Sequence, residues 1–67
     1  MIRVADYVDV DEEVRITFTD GQYVIGRIDS VDDEEESGLG EMGLSFFTVD
    51  GGYLGIAESE IQQIDIA

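Results

Sequence analysis

Carboxylates are the main chemistry this chain carries. It has 17 acidic side chains against three arginines, and it has no lysine, histidine or cysteine. The densest group is Asp32, Asp33, Glu34, Glu35, Glu36 and Glu41, within "DDEEESGLGEMG". Carboxylate oxygens are hard ligands for calcium or magnesium. Asp32, Asp33 and Glu41 are therefore the candidates for a weak cation site, one that loops converging in a ring of subunits would strengthen. The run lacks the spaced ligands of a helix-loop-helix calcium site, and a charge run is ordinarily a solvated loop. Paired carboxylates can also act as general acid and base, but in a chain this acidic such pairs arise by chance. A hydroxyl nucleophile needs an activating base, and Ser37, Ser45 and Ser59 have no histidine, cysteine or lysine to supply one. The residue types argue against an enzyme, and no cofactor is expected.

The aromatic residues Tyr7, Tyr23, Phe46, Phe47 and Tyr53 are the other functional candidates. Stacking platforms for nucleic-acid bases work inside a positively charged groove, which three arginines among 17 acids do not make. Phe46 reads as core. Phe47 and Tyr53 read as subunit-interface residues, since aromatics are enriched in interface cores. A net charge of −14 repels phosphate backbones and anionic lipid, and it attracts cations and basic partners. Salt adaptation or plain solubility would produce the same excess of acid.

Sixty-seven residues make one small domain, spanning 1–67. A chain of this size buries only about 60% of its unfolded surface. Without cysteine or histidine, self-association is the remaining way to add stability. The apolar fraction, 43%, is too high for disorder. The stretch "MIRVADYVDVDEE" lacks a long apolar core, so it reads as neither signal peptide nor membrane helix. A cytoplasmic protein is expected, with no membrane partner.

Strands must position these groups. Val14, Ile16 and Phe18 alternate with Arg15, Thr17 and Thr19, the period of a half-buried strand. Asp20-Gly21 makes a tight turn. Val24, Gly26 and Ile28 then share one face, with Tyr23, Ile25 and Arg27 on the other. This puts Arg15 and Arg27 on one hairpin face, where they are expected to pair with acids. Val31 falls out of step with Ile28, which predicts a bulge near Asp29-Ser30. Leu44–Val49 is a third strand with apolar groups on both faces, read as covered on both sides. Asp50-Gly51-Gly52 is a turn, and Tyr53–Ile56 a fourth strand. Ala57–Glu60 is a single helical or 3-10 turn. "IQQIDI" is the fifth strand, with Ile61, Ile64 and Ile66 apolar. Asp6 is expected to cap a short turn through Tyr7 and Val8. Together these predict an all-β fold: a small five-stranded barrel, closed so that no sheet edge stays free.

The spacing of these residues resembles the Sm-like (LSM) family over most of the chain, and the resemblance implies a five-stranded Sm-like or SH3-like barrel. Asp20, Gly21, Gly26, Ile28, Val31 and Asp32 fall on the positions of its first motif. In family members that bind RNA, that motif continues into an apolar residue and an asparagine that reads a base. Those positions are Glu35 and Glu36 here, and a carboxylate offers no donor and repels phosphate. The second motif's basic residue and glycine correspond to Ala57 and Glu58, followed by matching apolar Ile61 and Ile64. The segments "SGLGEMGLSF" and "GIAESEIQQIDI" are also similar to short bacterial and phage Sm-like proteins of unknown function.

Three readings follow. The first is a non-enzymatic module that self-associates through the edges of its fourth and fifth strands, with Tyr53, Leu54, Ile56 and Ile64 as interface candidates. The second is an acidic decoy that occupies the basic groove of a nucleic-acid-binding protein. The third, RNA association by analogy, ranks last.

Overall fold

A computed structural model describes residues 2–67. Five strands form one antiparallel sheet: β1 (Val14–Phe18), β2 (Tyr23–Asp32), β3 (Gly43–Thr48), β4 (Tyr53–Ala57) and β5 (Ile61–Ile66). Their order is β4-β3-β2-β1-β5. Two 3-10 turns accompany them, Val4–Tyr7 before the sheet and Glu58–Glu60 between β4 and β5.

Local chemistry explains the hairpins. Gly21 adopts φ +88° and donates its N–H to Phe18 O at 2.9 Å, while Asp20 Oδ1 accepts the Gln22 N–H at 3.0 Å. The β3–β4 turn repeats this scheme: Gly51 has φ +95° and donates to Thr48 O at 3.1 Å. Only glycine adopts such backbone angles without strain. In β2 the pairing register to β3 shifts between Ile28 and Ser30, so the expected bulge falls at Asp29. β2 is bent enough that a Cβ on Gly26 would collide with the carbonyl oxygen of Phe47 and lie 2.8 Å from Thr48 Cα. Gly26 is there because another backbone occupies the space its side chain would need.

The curled sheet wraps one core of Val14, Ile16, Leu44, Phe46, Ile56, Ile61 and Ile64, all buried. Its extents of 28 × 22 × 21 Å are nearly equal, as they must be for a sheet rolled on itself rather than laid flat. Val4, from the first 3-10 turn, is fully buried in the same core, with Ile2, Tyr7 and Val10 packed against it.

Three expectations need correction. The sheet does not close, since β4 and β5 share no pairing and stand at its two edges. The link Glu58–Glu60 is only three residues long and delivers β5 to the far side of β1. The N-terminal turn begins at Val4, and Asp6 lies inside it; the position before the turn is Arg3, whose side chain makes no capping bond. β3 is covered on one face only, since Phe47 is 50% exposed while Phe46 is fully buried. Ile66 of β5 is exposed and lies outside the core, although its cross-strand partner Val14 is fully buried.

Candidate functional site

Two regions gather the groups of interest: the two open sheet edges, and the place where the β2–β3 loop meets the second 3-10 turn.

At the first edge, Thr48 donates its N–H to Gly52 O, and Glu58 donates its N–H to Met42 O, each at 2.9 Å. Antiparallel ladders alternate in where they aim their backbone groups. Between these two bonds, Leu54 and Ile56 therefore turn their backbone groups toward β3, while Tyr53 and Gly55 turn theirs outward. At the second edge, Ala67 donates to Glu13 O at 2.9 Å, and Arg15 pairs with Asp65. The same alternation turns the backbone groups of Ile64 and Ile66 outward. Each edge thus offers two successive outward-facing residues, which is the template onto which another strand adds.

The side chains of these edges divide sharply. Ile56 and Ile64 are buried, so as side chains they belong to the core; what Ile64 offers outward is its backbone. Leu54 shares the inward face with Ile56 yet is 36% exposed, because no strand lies beyond β4 to cover it. On the outer face, Phe47 and Tyr53 are cross-strand partners with ring centroids 4.7 Å apart, both about half exposed. Arg27 continues that row on β2. The expected pairing of both arginines is present: Arg15 reaches Asp65 at 3.7 Å, and Arg27 reaches Asp11 at 3.8 Å. Arg15 also lies 5.7 Å from the centre of the Tyr23 ring. These contacts are exposed and contribute little to stability.

The second region holds the acids. Asp33 Oδ1 accepts the N–H groups of Glu35 and Glu36 at 3.0 and 2.8 Å, making the acidic run an Asp-initiated turn. Asp32 accepts the Ser30 hydroxyl at 3.0 Å and the Ser45 hydroxyl at 2.8 Å. Glu41 grips the second 3-10 turn with both oxygens, taking the Ser59 N–H at 2.7 Å and the Ser59 hydroxyl at 3.0 Å. The weak cation candidates Asp32, Asp33 and Glu41 are thus each committed to a different local partner. Among the described residues, no three acidic side chains come together in a metal-holding group.

The positions that resemble RNA contacts are placed as follows. Glu35 and Glu36 are exposed on the loop. Ala57 is buried and presents no surface on which a base could stack. Glu58 accepts the Val4 N–H at 2.9 Å and so ties the N-terminal segment down. Of the motif residues, Asp20, Gly21 and Gly26 shape the turn and the bend; Ile28 and Val31 pack against the core from β2. A pocket of about 380 Å³ lies beside this junction, lined by Ile2, Thr19, Glu41, Glu58, Ile61 and Gln62 together with Ser59. A shallower groove of about 420 Å³ runs past Glu13, Arg27, Phe47 and Val49.

Sequence reasoning missed three of these roles. Asp33 could have been found, since an aspartate opening a polar run is a turn signal. The Glu41–Ser59 contact and the burial of Val4 have no local signal. No protein-family profile, curated protein or solved structure matches the chain. Among the described residues, no helix is long and apolar enough to cross a membrane.

Proposed function

We propose that this chain is an Sm-like small barrel serving as a non-enzymatic, self-associating interaction module that does not read RNA. The observation that carries the reading is the pair of open edges. The outward backbone groups of Tyr53 and Gly55 on β4, and of Ile64 and Ile66 on β5, are offered by opposite ends of one curled sheet. Pairing β4 of one copy with β5 of the next satisfies both edges and covers Leu54. Such a contact is head-to-tail, and repeated with a fixed rotation it closes into a ring. Phe47 and Tyr53 border the seam and would add apolar contact. The RNA-associated alternative is disfavoured by exposed Glu35 and Glu36 and by the burial of Ala57.

Light scattering coupled to size exclusion tests the reading. The expected result is a discrete multimer that Gly55→Pro dissociates, since proline removes an outward N–H and leaves the β3 ladder its own donors. Tyr53→Asp, at an exposed site, is expected to act the same way. A wild-type monomer at high protein concentration overturns the proposal.

A second reading has one observation in its favour. The exposed run Asp33–Glu36 is engaged by no arginine among the described residues, so its charge is free to attract a basic protein, as a decoy for a nucleic-acid-binding groove would. A lysate pull-down at low and high salt tests it. Retention of basic proteins only at low salt is expected, and retention of none sinks it.

A further inference from the structure

We infer that the pocket between the β2–β3 loop, the second 3-10 turn and the N-terminal segment is a binding site for an arginine or lysine side chain of a peptide partner. The inference is independent of whether copies of the chain pair through β4 and β5.

The pocket joins an apolar wall to two fixed carboxylates. Ile2 and Ile61 supply the wall, Glu41 and Glu58 stand at it, and among the described residues no basic side chain lines it. A volume of about 380 Å³ is at the lower end of the range for small-ligand sites and is ample for one long side chain. Arginine and lysine are the side chains that match such a wall, because an aliphatic stem packs on apolar surface while the charged head stays with its partners. The charge of −14 excludes an anionic occupant and raises the local concentration of cations.

The carboxylates are held in place without being used up. Ser59 fixes Glu41 through two bonds, and the Val4 N–H fixes Glu58 through Oε2. Each carboxylate accepts about four hydrogen bonds in all, so both keep acceptor capacity for a guanidinium or ammonium. Groups already fixed lose little freedom on binding, which favours affinity. None of the three arginines is among the residues that line the pocket: Arg15 and Arg27 pair with Asp65 and Asp11, and Arg3 is exposed.

The test is an amide-resolved NMR titration of the intact chain with a blocked Gly-Arg-Gly peptide and its citrulline counterpart, in about 150 mM salt so that long-range attraction is screened. Saturable shifts at Ser59, Ile61 and Gln62 with the arginine peptide alone are expected. Glu41→Gln/Glu58→Gln keeps acceptor oxygens and removes two charges; it is expected to weaken binding about tenfold or more. Glu34→Gln/Glu35→Gln removes the same charge from the exposed run and is expected to change affinity less than about threefold. Gln62→Arg puts a competing guanidinium at the exposed rim and is expected to abolish binding, a result that does not depend on the folding of the pocket double variant. Equal weakening by both double variants, shifts spread over the acidic run, or no saturable shift each overturns the inference.

Discussion

Glu58 Oε2 accepts the backbone N–H of Val4 at 2.9 Å, joining residues 54 positions apart. The bond holds the N-terminal segment so that Val4 fills the core. It also gives a structural role to a glutamate at the position where the Sm-like resemblance expects glycine. Glu58→Ala leaves the Val4 N–H without its partner, and the cost expected for such a group is about 1–3 kcal/mol. Glu58→Gln keeps an acceptor and is expected to lose less. Urea unfolding midpoints of the two variants check this ordering, and a midpoint for the alanine variant equal to wild type contradicts it.

Glycine substitutions are expected to separate by the space behind them. At Gly26 a Cβ meets the Phe47 carbonyl, and at Gly43 it lies 2.6 Å from Ile56 O. Both obstacles are backbone, which cannot step aside as a side chain tip can. Gly26→Ala is expected to destabilise by more than about 2 kcal/mol, in the overpacking range. Gly55 has nothing within 4 Å, and Gly55→Ala is expected to fall within about 0.5 kcal/mol of wild type. Thermal melts of the two variants distinguish them.

Adjacent phenylalanines are expected to act on different properties. Phe46 is fully buried, and Phe46→Ala should cost about 3–5 kcal/mol, enough to unfold a domain of this size. Phe47 is half exposed on the outer face. Phe47→Ala is expected to leave the fold intact and to weaken the multimer. Circular dichroism with light scattering reads both effects, and a multimer of unchanged stability would remove Phe47 from the interface.

Asp50 gives a pH dependence of known sign. Its carboxyl is lowered below the ordinary 3.8, first by the hydrogen bond from the Thr48 hydroxyl and then by the Gly52 backbone N–H. A folded-state value below the unfolded one contributes stability above the unfolded value, and that stability disappears as pH falls through the folded value. The contribution is therefore present at neutral pH and lost below pH 3.8. NMR titration of the Asp50 carboxyl is expected to show a midpoint below that value, and Asp50→Asn is expected to remove this one contribution to the acid dependence. A midpoint at or above 3.8 refutes the assignment.

Salt is expected to stabilise the chain. Like charges held together oppose the compact state, and added ions screen them. The melting temperature should rise between about 20 and about 500 mM sodium chloride, scales set by the Debye length. A fall would mean that the two exposed arginine pairs outweigh the repulsion among 17 acids.

The sequence by itself determined the strands, turns and bulge. Those depend on neighbours: alternation places Val14 and Ile16 inward, Gly21 adopts the turn angle, and Asp29 takes up the register shift that Val31 announces. Only the tertiary structure decided which strands became edges, that Leu54 stays uncovered while Ile56 does not, and that Glu41 and Glu58 meet partners 18 and 54 residues away. Such contacts form when the chain curls on itself. No local pattern encodes them, because the energy that selects them comes from residues the intervening chain keeps far apart in sequence.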